Sequence, residues 1–228
     1  MHILKINYQS NPNVGLFGWA NDKICLVGKG FNSKAVKDIE KALKVPVHQI
    51  SLCSTDLIGV FCVGNNECIL VPSIIMENEI IELDKICKKA GMRIEIISTE
   101  LTALGNNILC NDIGALVNPD YSARVKKQIR TALRVNLIPG EIWMHGIPGS
   151  LCVTRKNKAV AAKTILEKEE DTLKKLLNVE CTYATVNFGS MHLRSGIIIN
   201  SNGFIVGDMS TGVEISNVDE GLGFLEKE

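Results

Sequence analysis

Eight cysteines and four histidines are the side chains here with the intrinsic reactivity for nucleophilic or metal chemistry. The cysteines stand at 25, 53, 62, 68, 87, 110, 152 and 181, and no pair has the two-residue separation by which zinc knuckles and redox motifs present two sulfurs to one centre. Most lie in apolar runs such as ICLVG and GVFCVG, where a thiol behaves as a small buried hydrophobe. Cys53, between Leu52 and Ser54-Thr55-Asp56, is the least apolar in context and on that ground alone a candidate nucleophile. His145 and His192 each precede a glycine by four residues and so read as equivalent positions of an internal repeat. The matching residues elsewhere, Asn11, Thr55 and Leu101, add no further metal ligand, so no metal site is expected. His48, within VPVHQIS, reads as a sheet histidine. Gly28-Lys29-Gly30 sits between an apolar run and a helical pattern, as a phosphate-binding turn does. Ser33, however, stands where a dinucleotide fingerprint needs its third glycine, and no cofactor is expected.

The chain around these residues has 228 positions, 46% hydrophobic and 22% charged. That composition excludes disorder, and at this length roughly 70–75% of the unfolded surface can be buried without a metal or disulfide staple. The 25 basic and 25 acidic side chains balance, which excludes a histone-like coat and leaves only local contacts with nucleic acid. The opening MHILKINYQ alternates apolar and polar residues and resembles neither a signal peptide nor a membrane span, so a cytoplasmic location is expected. The most basic stretch runs from Tyr121 to Arg134; Arg124, Lys127 and Arg134 oppose Val125, Ile129 and Leu133 and read as a solvated helix face. The acidic end, with Glu214, Asp219, Glu220, Glu226 and Glu228, is expected to face solvent or a basic protein.

An internal period orders the chain. Aligned on Gly15, Gly59, Gly105, Gly149 and Gly196, the intervals are 44, 46, 44 and 47. Each glycine is read as opening an apolar strand: GLFGWA, GVFCVG, GNNILC, GSLCVT and GIIINS. Six residues later comes Asn21, Asn65, Asn111 or Asn202, an amide suited to a tight turn, while the fourth unit has Arg155-Lys156-Asn157. A second apolar run follows, then a one-sided helix, then a third extended run. In the first helix Ala35, Val36, Ile39, Ala42 and Leu43 form the stripe and Ser33 is the expected N-cap. The fifth unit ends after its helix, whereas the chain begins with an unassigned strand at residues 2–8. If that strand completes the last unit, residues 1–228 form a single domain of five repeats of about 45 residues with no sheet left open. The expectation is an α/β fold, a five-bladed closed α/β propeller with quasi-fivefold symmetry.

The segments GLFGWANDKICLVG, IGVFCVGNNECILVP, LTALGNNILCNDIGALVNPD and TVNFGSMHLRSGIIINSNGFIVG, above all Leu101 to Asp120, resemble the translation initiation factor 6 family in its archaeal form. The resemblance implies a pentein fold and a monomeric, non-enzymatic factor without a cofactor. It also implies that the factor binds the large ribosomal subunit on its joining face and sterically blocks the small subunit. Its partners in the family are ribosomal proteins beside the sarcin–ricin loop, with ribosomal RNA close by. A rigid body of this size can block joining by volume alone. The contact surface is assigned to the loops opening the strands: Gly59, Val60, Gly105, Asn106, Gly149, Ser150, Leu151, His192 and Leu193. Asn106 leads, since the residues taken as equivalent, Leu16, Val60, Ser150 and Ile197, offer no amide. Family members often carry a basic residue at the place of Val60 and an aromatic one at that of Leu151, so these two are assigned to the rim. Penteins also include guanidino-modifying enzymes with a cysteine nucleophile, the competing reading, for which Cys53 is the residue to test.

Overall fold

A computed structural model describes residues 2–225. The chain begins with β1 (Ile3–Ile6) and then repeats one unit. The first unit is β2 (Gly18–Ala20), β3 (Cys25–Gly28), α1 (Ser33–Leu43) and β4 (Val47–Ile50). The second is β5 (Val63–Gly64), β6 (Cys68–Pro72), α2 (Glu77–Lys89) and β7 (Arg93–Ile97). The third is β8 (Ile108–Cys110), β9 (Gly114–Val117), α3 (Ala123–Leu133) and β10 (Asn136–Pro139). The fourth is β11 (Cys152–Arg155), β12 (Lys158–Ala162), α4 (Glu167–Leu177) and β13 (Glu180–Ala184). The last is β14 (Ile197–Ile199), β15 (Phe204–Gly207) and α5 (Gly212–Gly221).

In each unit the first two strands form an antiparallel hairpin, and the strand after the helix lies parallel to the second. The middle strand is therefore covered on all sides, which is why CLVG, CILVP, GALV and FIVG are buried along their whole length. Outer strands such as RIEII are buried only in part and carry polar residues. In the last sheet the third strand is β1: Ile3, Leu4, Lys5 and Ile6 lie opposite Phe204, Ile205, Val206 and Gly207. His2 adds a side-chain bond, its Nε2 lying 2.7 Å from Asp219 Oδ1 on α5.

A single helical turn precedes each first strand: Val14–Phe17, Ile58–Phe61, Leu104–Asn107, Pro148–Leu151 and Leu193–Gly196. Each turn packs on the next, and the last packs on the first, so the five blades close into a propeller. The core lies between blades. One cluster joins Leu26 and Ile50 of the first blade to Ile69, Leu83 and Cys87 of the second. Truncating a side chain buried like Leu83 typically costs about 2–5 kcal/mol.

Three sequence readings shift. The glycines read as opening strands sit inside the single turns, whose backbone is tied by bonds such as Val60 N–H to Leu57 O. The first N-cap is Asn32, whose side chain accepts from Ala35 N–H at 2.9 Å, and Ser33 is the first helical residue. The acidic end is not simply a solvated face: Glu214 and Asp219 are buried, while Glu226 and Glu228 lie outside the described residues.

Candidate functional site

The single turns surround the axis at one end of the ring. Their second residue approaches the neighbouring turn so closely that a Cβ on Gly59 would collide with the carbonyl of Gly15, one on Gly105 with that of Gly59, and one on Gly149 with that of Gly105. Closing the circle, a Cβ on Gly15 would collide with the carbonyl of Arg194. The fifth member of the series is thus Arg194, and Gly196 lies two residues beyond it. The sequence alignment followed residue type, whereas the fold permits an arginine at that position.

The same two-residue shift applies at the opposite end. The amide equivalent to Asn21, Asn65 and Asn111 belongs to Asn200, not Asn202. Each of these four side-chain oxygens accepts the backbone N–H groups two and three residues ahead, closing the hairpin turn. Their amide nitrogens reach to the neighbouring blade: Asn65 to Leu133 O, Asn111 to Leu177 O and Asn200 to Leu43 O, each at the end of a helix. Arg155 replaces the amide in the fourth blade and reaches Leu222 O at 2.8 Å. These asparagines hold blades together. Their place in the repeat is structural.

The nine residues assigned to the contact surface divide by exposure. Gly59, Gly105, Gly149 and Ser150 are buried, and Leu151 and Leu193 are 0% exposed. These six form the packed floor and offer no side chain to a partner, because the turns press against one another around the axis. Val60 and Asn106 are partly exposed and His192 is exposed. The third residues of the turns are Leu16, Val60, Asn106, Ser150 and Ser195. Ser150 and Ser195 donate to the carbonyls of Ile147 and His192 within their own turns. Among the described residues the Asn106 side-chain amide makes no hydrogen bond, whereas its neighbour Asn107 is buried and bonded to Ala103 O and Asn118.

Around this floor runs a feature that glycine spacing does not reveal. Before four of the turns the chain makes a tight loop with two consecutive left-handed residues: Gln9-Ser10, Cys53-Ser54, Trp143-Met144 and Asn187-Phe188. Three of these loops are held by the third residue of the following helix. Glu79 accepts from Cys53 and Ser54 N–H, Glu169 from Trp143 N–H, and Glu214 from Phe188 and Gly189 N–H. Each glutamate also caps its own helix by accepting from Met76, Leu166 or Thr211 N–H. Loop tips and helix starts thereby share one face, on which Ile74, Met76, Met144, Leu166, Phe188, Met209 and Val213 are 49–78% exposed. The signal in the sequence was a large apolar residue in a turn, as at Met144 and Phe188.

The reactive residues fare differently. Burial raises every cysteine thiol, Cys53 to about 11 with a further push from Glu79, which is the wrong direction for a thiolate nucleophile. His145 closes the loop after Met144, while His192 caps the last turn with its Nδ1 3.4 Å from Ser150 Oγ; the two are not at equivalent positions. The Gly28–Gly30 turn is filled from within, since Asp56 accepts from Gly30 N–H and from the Tyr8 hydroxyl. On α3 Lys126 donates to Pro119 O, and Arg134, the C-cap that follows the helix, pairs with Glu67 at 3.3 Å. Among the described residues no three His, Cys, Asp or Glu side chains gather as metal ligands, and no helix is long and apolar enough to cross a membrane.

The family model described as the eIF-6 family matches residues 3–221. The chain belongs to the eIF-6 family. Among relatives carrying the name Translation initiation factor 6, that of Thermococcus onnurineus is 33% identical over 99% of this chain and 100% of its own length. That of Pyrococcus abyssi is 35% identical with the same coverage. A solved structure of dimethylarginine dimethylaminohydrolase, an adduct with S-methyl-L-thiocitrulline, superposes with a TM-score of 0.51 at 11% identity, covering 92% of this chain and 72% of that one. At that identity the likeness shows the fold alone, and it is the pentein fold. The eIF-6 family member thus shares a propeller with enzymes, while burial raises the pKa of its own cysteine thiols.

Proposed function

We propose that this translation initiation factor binds the large ribosomal subunit on its joining face and keeps the small subunit away by occupying the space between them. The observation that carries the reading is the face of the single turns. Exposed apolar side chains at loop tips and helix starts surround a partly exposed amide, Asn106, that has no hydrogen-bond partner among the described residues. We read these residues, gathered at one end of the ring, as an interaction surface. The opposite end presents Asp22, Asn66, Asp112 and Ser201, already bonded to one another around the axis. Docking is therefore assigned to the turn face, with Val60, Asn106 and His192 in contact and the buried Gly59, Gly105, Gly149, Ser150, Leu151 and Leu193 supporting them. Apolar tips of this kind suit ribosomal proteins better than bare RNA phosphate; the partners are those beside the sarcin–ricin loop. The factor acts in the cytoplasm as a monomer and as one folded domain of five repeats.

Sedimentation with separated subunits tests this. The protein should pellet with large subunits and not with small ones, and pre-bound factor should prevent subunit joining. Equal binding to both subunits, or joining at an unchanged rate, would overturn the proposal. The raised thiols speak against the guanidino-modifying alternative; arginine-like substrate hydrolysis that disappears in Cys53→Ala would restore it.

A further inference from the structure

The first strands of the five blades enclose a channel along the axis with a volume of about 70 Å³. Gly18, Gly64, Cys110, Thr154 and Ile198 line it, and no aspartate or glutamate does. Arg194 lines it too. At the equivalent position the other four turns have a glycine, so this is the one blade that sends a side chain into the channel from that point. Arg194 is only partly exposed, and its Nη2 atom is sealed from solvent with no hydrogen-bond partner among the described residues. The groups whose charge would reach it are the Cys62 and Cys110 thiols, which burial keeps protonated. On the hairpin side, Asp22 and Asp112 already accept from Ser201 and Asn66.

A guanidinium keeps its charge inside proteins, and a donor of that charged group sealed from water without an acceptor, as Nη2 is here, is costly to hold. A water site needs at least roughly 10–15 Å³ in this measure, so the channel has room for an ion with some of its hydration. We propose that the axial channel binds a small inorganic anion, of halide or tetrahedral oxyanion size, against the guanidinium of Arg194. The anion supplies the missing acceptor and neutralises the charge. It also braces the turn Leu193–Gly196 that carries the arginine.

The test is thermal unfolding of the full chain at constant ionic strength, with bromide or phosphate replacing gluconate over 1–100 mM, for the native protein, Arg194→Met and Arg194→Lys. The native Tm should rise and saturate with one of the two anions, which also separates halide from oxyanion. Arg194→Lys should retain part of the rise, and Arg194→Met should melt at or above the native protein in gluconate and show no response. Bromide-soaked crystals should give an anomalous peak within hydrogen-bond distance of the guanidinium. Equal anion responses in native protein and Arg194→Met, a channel holding water alone in bromide, or an Arg194→Met variant that fails to fold would each overturn the proposal. The last of these would mean that the arginine has partners within the protein.

Discussion

Glu214 is the residue whose replacement most directly probes the turn face. It is 7% exposed, and its carboxylate accepts from Thr211 N–H at 2.8 Å, Thr211 Oγ1 at 3.0 Å, Thr185 Oγ1 at 2.8 Å, Gly189 N–H at 2.8 Å and Phe188 N–H at 3.3 Å. Burial alone would raise its pKa, but these donors outweigh burial and hold it at about 2 instead of 4.5. A gap of that size is worth about 3 kcal/mol of folding stability, at about 1.4 kcal/mol per pH unit. The sign follows from the depressed value. The contribution is complete above the unfolded pKa, declines as pH falls from about 4.5, and is gone below the folded value. Glu214→Gln keeps one good acceptor, so the expected loss at neutral pH is about 2 kcal/mol, or about 4–8 °C in Tm for a chain of this length. Thermal unfolding of the two proteins from about pH 7 to pH 3 should show the gap closing to less than half. A gap that stays constant across that range would show that the carboxylate charge is not what holds the Phe188 loop, and the account of this face would fail.

Asn106→Ala should weaken large-subunit binding about tenfold, the worth of one interfacial hydrogen bond, and leave Tm unchanged; equal affinity in a titrated pelleting assay would remove Asn106 from the contact. Gly105→Ala should destabilise by about 1–3 kcal/mol because its Cβ meets the Gly59 carbonyl, and a denaturant midpoint equal to that of the native protein would contradict the close packing of the turns. Deleting residues 1–9 should abolish cooperative unfolding, since β15 would lose its parallel neighbour and Tyr8 its place in the core; a variant that still melts cooperatively would defeat the single-domain proposal. Native thiols should react with a thiol reagent far more slowly than free cysteine at pH 8, and a fast-reacting Cys53 would contradict its raised pKa.

Periodicity carried most of the fold. The stripe Val125, Ile129, Ala132 and Leu133 on α3 is buried as its spacing required, and the runs CILVP and GALV became the covered middle strands. These were readable because a helix or a three-stranded sheet buries one defined set of positions, and that set repeats in the chain. Asn106 stood out for the same reason, as a break in a repeat. What misled was residue type taken as a landmark. Gly196 and Asn202 match the pattern by identity, yet Arg194 and Asn200 occupy the places, because position in the ring depends on which backbone meets which neighbour. Glu214 read as part of an acidic tail and proved to be the buried clasp of a loop 25 residues away in sequence.

By itself the sequence determined the repeat, the order of strand and helix within it, and the family, since all three are written in local spacing and local residue choice. Tertiary structure alone decided which of the nine assigned residues reach the surface, that apolar loop tips gather on one face, and that the side chain of Arg194 lines the axial channel. Those outcomes depend on bringing residues of five different blades to within a few ångströms of one another. Local periodicity cannot encode such distances, because they are set by how the blades pack around the closed ring.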